Sequence, residues 1–105
     1  MSFYLEGLKM MPDGTSRSRR LGEYWTHDEA VAAAKHLIDS FLLHEHLLHV
    51  TQGITPQQLL ARYRSDAEQP CVLRSNQSST NVSAFNHLEY ATLRCAEICN
   101  GGNKH

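Results

Sequence analysis

No stretch of this 105-residue chain approaches the roughly 18 consecutive apolar residues of a membrane-spanning helix, and "MSFYLEGLKMMPDG" at the N-terminus lacks a basic leader before an apolar run. The expectation is a soluble, cytoplasmic protein. Net charge is nearly absent as well. Ten Lys plus Arg face eleven Asp plus Glu, a formal −1, so no global field draws the chain to nucleic acid or to an anionic membrane. Cysteine is scarce and odd in number: Cys71, Cys95 and Cys99 do not frame a secreted disulfide scaffold, which fits a reducing compartment. Also missing are a glycine-rich phosphate loop after a strand, a Ser or Cys nucleophile in an activating motif, and an HExxH helix. Enzymatic activity is therefore not expected, and no cofactor is implied.

What the chain has is the composition of one globular domain, 41% apolar and 20% charged. A chain this long buries roughly two thirds of its unfolded surface in a single core, and dividing it in two would starve both halves. Residues 2–10, "SFYLEGLKM", run into the turn signal "PDG", and after the polar "TSRS" comes "RRLGEYW". These read as two strands of a hairpin with a long loop. Neither alternates cleanly. Tyr4, Leu8 and Met10 share a face with Glu6, while Leu21 and Trp25 share one with Glu23.

The strongest element follows. In "THDE", Thr26 and Glu29 stand at capping-box spacing before an alanine run, and Val31, Ala34, Leu37, Ile38, Phe41 and Leu42 then repeat at three and four residues. The capping box also accounts for the acid/base-looking "HDE". A second box, Thr55 with Gln58 and Pro56 at the first helical position, starts a short helix through Leu59, Leu60 and Tyr63. "QPCVLR" reads as a short strand whose Pro70 suits a sheet edge. After the polar "SNQSSTN", a last helix is expected from Ser83 to near Cys99, with "NGGN" as its stop and residues 101–105 as a flexible tail. Phe85, Leu88, Ala91, Cys95, Ile98 and Cys99 fall on one side of that helix, so the CxxxC thiols read as core packing, and Cys71 likewise.

Two clusters carry candidate chemistry. "FLLHEHLLHV", residues 41–50, gathers three of the seven histidines. At about 100° per residue His44 and His46 point nearly opposite ways, so they cannot share an ion while helical. His46 and His49 alone leave a zinc site half built. Glu45 would fall inside the apolar stripe, a hint that the helix ends or frays there. An irregular backbone over 44–50 would let His44, His46 and His49 gather with Glu45. A solvated helix end is the plainer reading, and histidines also suit a helix C-terminus. "RSRR", with Arg17, Arg19 and Arg20, lies near Tyr24 and Trp25 and could meet a phosphate or an acidic partner. On a nearly neutral chain it reads as a solvated loop rather than a nucleic-acid site.

The order "LGEYWTHDEAVAAAKHLIDSFL", "GITPQQLLARY", a short strand and "SAFNHLEYATLRCAEIC" resembles a group of small bacterial α+β proteins of unassigned function. In that group an N-terminal hairpin ends in a Gly-Glu-aromatic stretch before an alanine-rich helix, and a T-x-x-x-L-x-x-x-Y helix precedes the third strand. The resemblance covers most of residues 3–99. It departs at "SDAEQPCVL", where the group has a glycine-acidic-proline turn into an aromatic strand. It implies a bacterial accessory domain and carries no catalytic residue across.

The expected fold is a single α+β domain over residues 1–105, ordered β-β-α-α-β-α. A three-stranded, mainly antiparallel sheet is covered on one face by the Ala30–Leu43 helix and the C-terminal helix. The second sheet face, carrying some of Tyr4, Leu8, Tyr24 and Trp25 with Arg19 and Arg20 nearby, is then open to a protein partner or a second copy. The alternative is a metal-binding protein using His44, His46 and His49.

Overall fold

The computed structural model describes residues 3–74 and 85–101. The expected loop 75–81, residues 83 and 84 at the expected start of the last helix, and 102–105 of the expected tail lie outside the described residues. The chain runs β1 (Phe3–Met10), β2 (Ser16–Tyr24), α1 (His27–His49), a 3₁₀ turn (Val50–Gln52), α2 (Pro56–Asp66), β3 (Gln69–Arg74) and α3 (His87–Gly101). This is the expected β-β-α-α-β-α order, folded as one α+β domain. The sheet is antiparallel throughout, with β1 at its centre in the order β2-β1-β3.

The hairpin is longer than its hydrophobic pattern suggests. "SRS", residues 16–18, belongs to β2 rather than to the loop, because an edge strand open to water on much of its length needs no apolar face. The turn shrinks to Met11–Thr15. Gly14 takes a left-handed φ of 90° there, and the Asp13 carboxylate accepts from the Thr15 amide at 3.0 Å and hydroxyl at 2.6 Å. A bulge follows: Leu5 faces Gly22 but Glu6 faces Arg20, so Leu21 is the extra residue. Leu21 packs inward beside Leu5, whereas Glu23 stays opposite Tyr4 on the other face. The expectation that Leu21 and Glu23 share a face therefore fails, since one inserted residue inverts the alternation.

Both capping boxes form. Thr26 accepts from the Glu29 amide at 3.1 Å while the Glu29 side chain accepts from the Thr26 amide, and Thr55 and Gln58 do the same for α2. Helix α1 does not fray at Glu45. It continues to His49 and ends through the 3₁₀ turn at Gly53, whose φ is 72°. The last helix starts at His87 rather than Ser83 and runs on to Gly101. Its cap is Asn86, whose side chain accepts from the Leu88 and Glu89 amides at 3.0 and 3.1 Å.

Helix α1 lies on the Leu5 and Val72 side of the sheet. Ala30 and Ala34 at the start of α1 have side chains small enough to let the helix settle close to these residues. Farther along, Ile38 and Leu42 leave the sheet and join Leu59, Tyr63, Ala67, Ala91 and Cys95 in a second cluster between α1, α2 and α3. Helix α3 packs chiefly on α1 and α2 and touches the sheet at β3. No described helix is long and apolar enough to cross a membrane.

Candidate functional site

The open face of the sheet is set by register. Tyr4, Glu6, Leu8 and Met10 of β1 alternate outward, β3 adds Cys71 and Leu73, and β2 adds Arg20 and Glu23. No described helix covers this face. Leu8 is 43% exposed, Met10 is exposed, and Tyr4 is half-buried beneath the Arg20 guanidinium, 4.1 Å from its ring centroid. Arg20 is further held by Glu23 at 2.8 Å. The two sheet edges are less inviting than the face. Arg17, Arg19 and Arg20 line β2 and Pro70 sits in β3, both features that discourage strand addition.

The expected interaction residues do not all meet here. Tyr4, Leu8 and Arg20 share the open face. Tyr24 pairs with Phe3 on the opposite face and packs against the Leu5 cluster, so it does not belong to the open surface. Trp25 lies one residue beyond β2 and is 66% exposed. Arg19 also points to the helix side, where its Nε and Nη2 grip Glu68 at 2.7 and 2.8 Å. That pairing holds the Glu68 carboxyl below the usual carboxylate range. The "RSRR" cluster is thus divided by strand alternation, with Arg17 and Arg19 on one face and Arg20 on the other.

The histidine segment stays helical, so its side chains fan out rather than gather. His44 is exposed, and His46 and His49 are half-buried on another side of α1. Glu45 is inside the apolar stripe as its position demands, and its burial is met by Arg62 at 3.3 Å and His49 at 3.7 Å. His49 and Arg62, with Gln52, Ile54 and Gln58, edge a shallow polar hollow of about 240 Å³ between the end of α1 and α2. Among the described residues no group of three or more His, Cys, Asp or Glu side chains is placed to hold a metal ion.

Other polar groups inside the helical layer are structural ties. Tyr63 is fully buried and its hydroxyl meets His87 Nδ1 at 2.9 Å, while burial pushes the His87 imidazole below its ordinary value. Tyr90 donates to both oxygens of Asp39, at 2.9 and 3.1 Å, and Arg94 Nε donates to the same carboxylate at 2.8 Å, joining α3 to α1. Burial, with the Asp39 carboxylate beside it, pushes the Tyr90 phenol up to about 12. Among the described residues no buried side-chain polar atom lacks a partner.

One surface escaped the sequence reading. Along the second half of α1 and into the turn after it, Leu47 is 75% exposed, Leu48 56% and Leu43 50%, with Leu37 and Val50 also exposed. Leu37, expected in the buried stripe, faces solvent because the burial line follows Ala34, Ile38 and Leu42. The available signal was the number of apolar residues in "FLLHEHLLHV", which exceeds what one stripe can hold. No family model, curated protein or solved structure matches this chain.

Proposed function

We propose that this chain is a small, cytoplasmic, non-enzymatic protein-interaction module that docks a protein through the open face of its sheet. The observation that carries the reading is the one-sided packing. Helix α1 covers the Leu5 face through Ala30 and Ala34, while Tyr4, Leu8, Met10, Cys71 and Leu73 alternate onto the other, with no described helix over it. Glu6 stands inside this strip, between Tyr4 and Leu8 on the central strand, and Arg20 and Glu23 lie on its β2 side, so the surface mixes exposed apolar side chains with charge as protein-recognition surfaces do. A protein suits it better than nucleic acid, because Arg19 and Arg20 are already engaged by Glu68 and Glu23. The three free thiols suit a reducing compartment.

A photo-crosslinking residue placed at Leu8 tests the proposal in cells. The expected result is a discrete adduct of one mass from Leu8 and none from Gln57, an exposed position on α2. The same diffuse ladder from both positions, or no adduct from Leu8, removes the sheet face from the function.

A further inference from the structure

We propose that Lys9 and Arg17, on the helix side of the hairpin's far end, hold the phosphoryl dianion of a small molecule. The inference goes beyond the docking reading and does not depend on it. Register puts the two residues directly opposite each other on β1 and β2, and the alternation that brings Leu5 and Gly7 to that side of the sheet brings them there too. Arg19 follows along β2, opposite Gly7. These three cations, with Met11, Ser18 and Glu68, line an open hollow of about 390 Å³, within the size range of small-molecule sites.

Charge decides what the hollow takes. Its three formal positive charges meet one carboxylate, Glu68, whose two oxygens are gripped by Arg19 at 2.7 and 2.8 Å. Lys9 acts on Glu68 only through space. Among the described residues neither Lys9 nor Arg17 has an ion-pair partner. Asp66, which shares an adjoining hollow with Lys9, accepts from the Ser65 hydroxyl at 3.2 Å instead. The site thus holds a surplus of two positive charges. Like charges directly opposite across an antiparallel pair repel, so an anion that bridges them relieves that cost as well as gaining its own contacts. The Arg17 fork suits two oxygens of one anion, and the Lys9 ammonium suits a third. A phosphomonoester brings three such oxygens and about two negative charges, where a carboxylate brings two oxygens and one charge. A nucleic-acid strand would need a longer basic track, and the next cation, Arg20, lies on the other face in the grip of Glu23.

A nitrogen-15 shift titration of the full chain by nuclear magnetic resonance tests this at low salt and about pH 8, where a phosphomonoester is dianionic. The probes are phenyl phosphate, inorganic phosphate and phenyl sulfate, the last having the same body as the first and one charge fewer. Phenyl phosphate should saturate and shift the amides of Lys9, Arg17 and Glu68, while phenyl sulfate should bind about tenfold more weakly or worse. Lys9→Gln and Arg17→Gln, both at exposed positions, should each weaken phenyl phosphate about tenfold or more, and Lys35→Gln on α1 should leave it unchanged. Unaltered spectra away from the hairpin confirm that the variants fold. Tighter binding of phenyl phosphate than of inorganic phosphate assigns the site to an organic monoester, and equal binding assigns it to the free ion; either result upholds the dianion site. No saturable shift with any probe up to about 20 mM, beyond the range of weak specific ligands, overturns the proposal. So does phenyl sulfate binding as tightly as phenyl phosphate, or binding that survives undiminished in both hairpin variants.

Discussion

Replacing Gly7 with alanine is the sharpest probe of how the helix side of the sheet is closed. Gly7 is buried in the central strand, and a Cβ built there would lie 2.6 Å from Glu68 Cγ and 2.8 Å from its Cδ. Cγ is one bond from Cβ, so relief requires turning the whole Glu68 side chain and abandoning the two Arg19 hydrogen bonds. Arg19 is 70% exposed, and water screens that pair, so the steric term dominates. Overpacking of this kind costs about 1–3 kcal/mol. With Glu68→Ala already in place the obstruction is gone. Gly7 has no positive φ to protect, so the alanine then gains about 0.4–1 kcal/mol by restricting the unfolded chain. The sign of the effect should therefore reverse between backgrounds, with a coupling of about 2 kcal/mol. Urea unfolding followed by circular dichroism reads this as opposite midpoint shifts, together about 1 M, at unchanged slope. Equal costs of Gly7→Ala in both backgrounds, within about 0.5 kcal/mol, would refute the placement of Glu68 over Gly7.

Two further predictions concern the helical layer. Burial and the nearby Cys99 push the Cys95 thiol up to about 11, and it is 1% exposed, so a thiol reagent should modify Cys71 and Cys99 first and reach Cys95 only on unfolding. Native-state labelling of Cys95 as fast as Cys99 would contradict its place in the core. Burial also depresses His87 below its unfolded value, so the unfolded chain binds that proton more readily than the folded one. Its stabilising contribution is full above about pH 6.5 and is lost as pH falls through the folded value. His87→Gln should thus lose less stability than wild type between about pH 7 and about pH 5, and an equal loss would show that His87 titrates freely.

Local chemistry in the sequence was the most readable layer. Thr26 with Glu29 and Thr55 with Gln58 each announce a helix start within four residues, and the structure places α1 and α2 there. The start of α3 had the same kind of signal in Asn86 three residues before Glu89, but Ser83 drew the boundary four residues too early. Features that depend on pairing were hidden. The bulge at Leu21 is created by β1 and β2 together, and it decides which face Leu21, Glu23 and Arg20 occupy, so no period-2 reading of one strand finds it. The interaction surface was half legible for the same reason. Tyr4 and Leu8 follow from simple alternation on the central strand, whereas Tyr24 sits opposite Phe3 and is claimed by the core. In "FLLHEHLLHV" the histidines drew attention, yet Leu43, Leu47 and Leu48 between them are the residues that the core leaves in water.

Cys71 permits the most direct test of the central claim, because its side chain belongs to the open sheet face while Cys99 lies on α3 behind the helical layer. The measurement is the ratio of Cys71 to Cys99 alkylation rates, by mass spectrometry, in intact cells and in the dilute purified chain. An interaction module that works through the sheet predicts Cys71 several-fold more protected in the cell, with Cys99 unchanged. The same ratio in both settings would mean that nothing docks on the face of Tyr4, Leu8 and Cys71.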